Sequence, residues 1–201
     1  MRDAIHALKY GSLRPAAREL GARLAVAIAQ LAGEAPFEML VVPVPLHRSK
    51  QTLRGFNQAR LLASTAIAAL HGRDRRWRLK LASRTLMRLR ATESQAGLTP
   101  HQRRANLRGA FSVADAAVVK EKDILLIDDI LTTGATARAA AMALRKAGAA
   151  SVWVAALARA HRLSDVSDRG LRAGTSGPQA IRWIEPGQIV RRDSLQDHPS
   201  F

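Results

Sequence analysis

Apolar positions along this chain recur with two distinct periods, and the switching between them predicts alternating helices and strands. Across residues 15–31, Ala17, Leu20, Leu24, Ala27, Ile28 and Leu31 fall on one helical face, with Gly33 and Pro36 beyond to end it. Residues 37–44 are instead apolar and rich in β-branched types, a buried first strand with Pro43 and Pro45 at its C-terminal end. A loop over 46–55 follows, then a helix capped by Asn57 that runs to about Leu70 and is closed by Gly72. Residues 71–78 read as a basic turn and 78–86 as a strand. Residues 87–109 are polar, basic and poor in strand formers, with a short helix at 100–107. Beyond them come a short strand at 110–113, a buried strand at 123–127, an Ala-rich helix at 135–147 ended by Gly148, and a buried strand at 151–158. From His161 the pattern dissolves into Gly and Pro punctuation around one apolar cluster, 181–184. That tail is expected to be a flexible extension with one strand docking.

Strands alternating with helices imply an α/β protein with a mostly parallel central sheet and helices on both faces. Ligands bind such sheets outside the C-terminal strand ends, which here carry Pro45 and the run that follows residue 127. Residues 124–136 read ILLIDDILTTGAT: a buried strand, two adjacent carboxylates capping it, and a small-residue loop feeding a helix. The first N–H groups of a helix lack intrahelical partners and carry the positive end of its dipole, which suits a phosphate. Gly134 permits φ > 0 and close backbone approach, and Thr132, Thr133 and Thr136 add hydroxyl donors. Asp128 and Asp129, acceptor-only when ionised, suit a diol or a hydrated Mg²⁺. An ordinary strand–turn–helix with an acidic cap accounts for one Asp and one Thr, but not for the pair with the whole Thr-Thr-Gly-x-Thr run.

Composition narrows the setting. A chain of 201 residues with 47% hydrophobic content makes one domain with room for an appendage, its core built largely from Ala and Leu because aromatics reach only 4%. The apolar stretch near residues 24–33 is about half the ~20 residues that a membrane-spanning helix needs. Asp3 and the absence of a signal-peptide layout give a cytoplasmic expectation. With no cysteine the chain has no disulfides, no thiolate-held zinc and no thiol nucleophile for a glutaminase. The net charge of +16 is uneven: residues 48–108 hold fifteen Lys/Arg against two acids, whereas after residue 160 six Arg face five acids. A nucleic-acid surface, attraction of a small polyanion and plain solubility are all compatible with that field.

Two further segments carry chemistry. Residues 42–63 read VPVPLHRSKQTLRGFNQARLLA. His47, Arg48, Lys50 and Arg54 sit on a loop at a strand tip, where cations pair with pyrophosphate oxygens or simply face solvent. Residues 86–111 read LMRLRATESQAGLTPHQRRANLRGAF, a long polar loop of the kind compact domains keep for lids. His47 and His101 show no metal-ligand spacing and read as surface histidines; Trp77, Trp153 and Trp183 are too dispersed for a base-stacking platform.

These blocks resemble a known family. Each of the thirteen positions of 124–136 carries a residue type allowed by the phosphoribosyl-pyrophosphate (PRPP) motif of type I phosphoribosyltransferases. The Pro-Val-Pro-Leu…Arg-Gly-Phe-Asn-Gln run is similar to the signature of the ComF/GntX family, phosphoribosyltransferase-like proteins linked to DNA uptake in competence. Arg88, Thr92, Gln95, Leu98, Arg103, Asn106 and Phe111 match that family's third segment, and Leu8-Lys9-Tyr10 its entry to the first helix. The resemblance spans about residues 5–160 and implies a type I phosphoribosyltransferase domain there, with 161–201 an extension beyond the family's usual end. It implies that Asp128 and Asp129 hold the ribose hydroxyls and that Thr132, Thr133, Gly134, Ala135 and Thr136 hold the 5′-phosphate. Arg48, Lys50, Arg54, Gly55 and Asn57 would face pyrophosphate, and Arg88, Thr92, Gln95, Arg103 and Asn106 would lie on a mobile flap. Mg²⁺ would arrive with PRPP, with Asp128 and Asp129 as its candidate protein ligands and no other direct ligation. The Cys-rich zinc ribbon that usually opens family members is not present, so no zinc is expected.

Two functions follow. One is PRPP binding with phosphoribosyl transfer to an acceptor that the sequence does not name; positioning and charge stabilisation do the work, and Asp129 is the candidate general base. The other is a non-enzymatic protein that binds single-stranded DNA or senses PRPP with the same fold. Oligomeric state is not legible.

Overall fold

Five parallel strands, in the order β2-β1-β5-β6-β7, form the central sheet. The computed structural model describes residues 13–47, 51–52, 55–90, 107, 109–131, 133–159 and 181–184. The chain runs through α1 (Leu13–Ala29), β1 (Glu38–Pro43), α2 (Gln58–Arg73) and β2 (Arg78–Leu81), then a small antiparallel ribbon of β3 (Leu86–Arg88) and β4 (Phe111–Val113). There follow α3 (Ala116–Val119), β5 (Asp123–Leu131), α4 (Ala135–Lys146), β6 (Ser151–Arg159) and β7 (Ile181–Ile184). The α/β architecture expected from the sequence is what forms.

Burial on both faces explains the continuous apolar strands. Leu125 and Ile127 of β5 join Met39 and Val41 of β1 beneath α1 and α2. Ile124 and Leu126 join Val42, Val152 and Val154 beneath α4, together with Leu86, Leu107 and Phe111 from around the ribbon. The crossover from β1 through α2 leads to β2 on one side; that from β5 through α4 leads to β6 on the other. The sheet therefore reverses its direction of growth between β1 and β5, and the crevice of a doubly wound sheet lies at that switch point.

Several expectations need correcting. The helix over 58–73 runs past Gly72, whose surroundings are open, and ends at Asp74. Asp74 donates its backbone N–H to the Leu70 carbonyl at 2.9 Å, and its carboxylate is held by the Arg76 guanidinium. The stretch 78–86 is not one strand. It breaks around a turn after Leu81, because β2 follows β1 in the sheet whereas Leu86 onward pairs with β4. Most consequentially, the strand expected to end at Ile127 continues to Leu131, so Asp128 and Asp129 lie within β5 instead of capping it. Partners on β6 support that extension: Asp128 pairs with Ala156 and Ile130 with Ala158. The strand expected to dock from the tail does so: residues 181–184 form β7 alongside β6.

Close helix packing sets one stringent requirement. A Cβ placed on Gly21 of α1 would run into the Thr65 hydroxyl and reach within 3.0 Å of the Thr65 carbonyl carbon on α2. Only glycine lets the two helices approach this closely.

Candidate functional site

β1 leaves the sheet at Pro43, and the bond from the Val44 N–H to the Ile127 carbonyl at 2.8 Å ends that side of the ladder. β5 continues alone along this edge, and Asp128 and Asp129 are the next residues on it. The N–H groups here turn to the carboxylates: Asp129 N–H donates to Asp128 Oδ1 at 2.9 Å, and Ile130 N–H to Asp129 Oδ1 at 2.8 Å. Strand alternation also slips. Ile127 and then Ile130 pack toward α1 and α2, while Leu131 packs toward α4, so the two acids occupy the step where the faces change over.

Asp128 is only 8% exposed. Burial pushes its carboxyl well above the usual range, and the adjacent Asp129 carboxylate reinforces this; the Asp129 N–H and the Arg88 charge oppose it more weakly. A protonated Asp128 both donates and accepts, which suits a sugar diol, and an arriving cation would favour its carboxylate form. Arg88 comes from the ribbon, where it pairs across to Phe111 and lays its guanidinium 5.5 Å from that ring's centroid. Burial lowers the Arg88 pKa, offset in part by Asp128.

At the end of β5 the chain turns directly into α4. Gly134 is the N-cap at φ 68°, ψ 4°, a conformation costly for any residue with a Cβ. It gives no side-chain cap, and Ala135 N–H reaches the Thr133 hydroxyl only at 3.4 Å. The first turn of this twelve-residue helix thus presents N–H groups and the positive dipole end beside the acidic pair, with Thr136 half-buried on the same turn.

On the β1 side, Asn57 caps α2 by accepting from Arg60 N–H at 3.3 Å, while its amide donates to the Val44 carbonyl at 3.1 Å. That one side chain ties the start of α2 to the exit of β1. Gly55 sits at φ 73° and donates its N–H to the Gln51 carbonyl at 2.8 Å, and the Gln51 N–H donates to the His47 carbonyl at 3.0 Å. Arg48, Lys50, Arg54 and Thr132 lie outside the described residues, as do Thr92, Gln95, His101, Arg103 and Asn106. One residue of the Arg-Gly-Phe-Asn-Gln run was given no role of its own in the sequence reading: Gln58, next to the cap, is 2% exposed and its amide nitrogen has no partner among the described residues. Its signal was a long amide side chain at the start of an otherwise Ala- and Leu-rich helix face.

The donor set bears on Mg²⁺. Among the described residues no three His, Cys, Asp or Glu side chains cluster. Two adjacent carboxylates fit a hard cation that keeps waters and ligand oxygens, not an all-protein cage. A groove of about 350 Å³ lined by Ile67, Leu70, Trp77 and Leu79 opens at the opposite, N-terminal end of β1 and β2 and shares no residue with the acidic pair. No helix among the described residues is long and apolar enough to cross a membrane.

The fold defines a doubly wound α/β protein with its crevice between β1 and β5. The phosphoribosyl transferase domain family matches residues 78–185, more than half of the sequence, and the chain belongs to that family. Competence protein F of Haemophilus influenzae is 35% identical over 121 residues, which cover 60% of this chain and 50% of that protein. DNA utilization protein YhgH of Escherichia coli K12 is 35% identical over 119 residues, 59% of this chain and 48% of that protein. YhgH of Salmonella typhi is 32% identical over 157 residues, 77% and 65% respectively. The resemblance to the ComF/GntX proteins drawn from the sequence thus holds, although the chain spans about half the length of the first of these relatives. Among solved structures, a hypoxanthine phosphoribosyltransferase from Staphylococcus aureus aligns over 84% of this chain and 73% of that one, at 15% identity and a TM-score of 0.44, a likeness too remote to carry an argument.

Proposed function

We propose that this chain binds PRPP, with Mg²⁺, in the crevice between β1 and β5, and transfers its phosphoribosyl group to an acceptor with release of pyrophosphate. The observation that carries the reading is an acidic pair, Asp128 buried and Asp129 half-buried, on the free edge of β5, one short turn from a glycine-capped helix N-terminus. Asp128 and Asp129 take the ribose hydroxyls, and Thr132, Thr133, Gly134, Ala135 and Thr136 take the 5′-phosphate. Arg48, Lys50 and Arg54 face the diphosphate, with Gly55 and Asn57 shaping their loop. Arg88 stands at the base of a flap that carries Thr92, Gln95, Arg103 and Asn106 and that excludes water from the crevice.

In the transfer the acceptor's lone pair attacks ribose C1, the bond from C1 to the diphosphate oxygen breaks, and the electron pair leaves with pyrophosphate. Positive charge grows on the sugar and negative charge on the leaving group, so a carboxylate beneath the ring and cations around the diphosphate stabilise the transition state. Asp129 is the candidate to receive the acceptor's proton. Mg²⁺, bound with PRPP near Asp128 and Asp129, supplies charge neutralisation for the leaving diphosphate. We read residues 1–160 as the phosphoribosyltransferase-like domain, 161–201 as an extension that lends β7 to its sheet, and the protein as a cytoplasmic participant in competence and DNA uptake. Calorimetric titration with PRPP and Mg²⁺, then a nucleobase screen for pyrophosphate release, tests the reading; no heat with PRPP would end it.

A second reading has its own support. Arg73 at the end of α2, and Arg75, Lys80 and Arg84 along β2 and its flanking turns, are exposed, with no ion-pair partner among the described residues. Such an edge suits the phosphates of a single-stranded nucleic acid, in line with relatives named for DNA utilization. Binding of this kind weakens steeply with salt and survives Asp128→Asn.

A further inference from the structure

We infer that Gln58 is a positioning residue for the ligand's diphosphate, its amide N–H donating to an anionic oxygen once the crevice is filled. The inference rests on the PRPP reading and adds a contact that reading does not contain. Gln58 is the first residue of α2, and it begins a buried row that continues one turn at a time through Leu62, Ala66 and Leu70. That row is buried where α2 packs between α1 and the strands β1, β2 and β5. Side chains on a helix lean toward its N-terminus. From the first turn, a long side chain on this row therefore extends past the helix start, toward the exit of β1. Asn57 fixes the position of that start, through its amide bond to the Val44 carbonyl at 3.1 Å. The Gln58 amide thus lies at a helix entrance that its neighbour Asn57 ties to the exit of β1, with the residue only 2% exposed and its nitrogen unpartnered among the described residues.

Buried donors are almost always paired in folded proteins, so a donor without an acceptor needs an explanation. Pure packing would select an apolar side chain, as at Leu62, Ala66 and Leu70 in the rest of this row. A diphosphate in the crevice supplies oxygen acceptors at the place where α2 also points its positive dipole end and its first N–H groups. Glutamine is suited to this role because its amide donates without burying a charge at the helix start.

The test pairs two variants of the full chain, Gln58→Met and Gln58→Glu, each titrated calorimetrically with PRPP and Mg²⁺ and melted without ligand. Gln58→Met keeps the volume and removes the orphan donor. Its ligand-free melting temperature should hold or rise, while its Kd for PRPP weakens about tenfold or more, the value of one hydrogen bond to a charged group. Gln58→Glu places a carboxylate against the diphosphate and should weaken binding further. Equal affinity in Gln58→Met and wild type overturns the inference and leaves the PRPP reading standing. So does a clear drop in the ligand-free melting temperature of Gln58→Met, which would mean that the amide is bonded within the empty fold. Wild-type protein that ignores PRPP removes the reading and the inference together.

Discussion

β5 carries a carboxylate near each end, and the two are treated in opposite ways. At the N-terminal end Asp123 pairs in register with Ser151 of β6, whose hydroxyl reaches Asp123 Oδ1 at 2.6 Å. Trp153 donates its indole N–H to the same hydroxyl at 3.2 Å, completing a small network. At the C-terminal end Asp128 pairs with Ala156, a residue with nothing polar to offer, and has a second carboxylate as its neighbour. One strand thus shows a carboxylate built into the fold and a carboxylate held against the interests of the fold. The difference teaches where to look for function: at the end where a buried polar group is kept in spite of its surroundings.

Four measurements would break or sharpen that contrast. The largest effect should come from Asp129→Asn, expected to weaken PRPP binding at least 100-fold, about 2.7 kcal/mol, with the melting temperature within a few degrees of wild type. Calorimetry and thermal melting on the same sample decide it. Next, Gly21→Ala should do the reverse. Overpacking against Thr65 should cost about 1–3 kcal/mol of stability in a denaturant titration, while affinity per folded molecule stays unchanged.

A pH series separates the two ends of β5 further. Because the folded protein raises the Asp128 pKa above 3.8, the native state holds a proton there that the unfolded chain has released. The stability from that proton is full below the unfolded value and is lost as pH rises through the folded one. Asp128→Asn removes this dependence, so the variant should gain on wild type as pH increases from 4 toward neutrality; parallel profiles would contradict the raised pKa. The smallest effect belongs to Ser151→Ala, which should cost about 1 kcal/mol through the lost bond to Asp123 and leave PRPP affinity untouched.

Much of this molecule was legible from local patterns. The strands at 37–44, 123–127 and 151–158 were visible because apolar runs buried on both faces leave a dense signal. Asn57 announced its cap because the physics of helix starts is local. What escaped depended on partners distant in sequence. The end of β5 was set by its neighbours, since β6 continues to pair with it after β1 has left, and no property of Asp128 itself reveals that. The split at 82–85 escaped for the same reason: the ribbon exists because Leu86–Arg88 finds Phe111–Val113 more than twenty positions away. Within the site, the acidic pair and the Gly134 turn could be read directly, whereas the orphan amide of Gln58 required burial to be known. The cationic loop and the flap were visible in their composition and took their roles from resemblance, and most of their residues fall outside the described ones.

The ribbon also bears on the entropy of the connection that it closes. β3 and β4 are joined in register from Leu86–Val113 to Arg88–Phe111, and Leu89 N–H then bonds the Ala110 carbonyl at 2.9 Å. Whatever connects Arg90 to Gly109 therefore starts and finishes at a stem already closed. Further lengthening of such a connection carries only a logarithmic entropic penalty, about 0.6 kcal/mol for each doubling. The stem thus holds the two ends of that connection in register, and the acidic pair on β5 lies outside the pairing that does so.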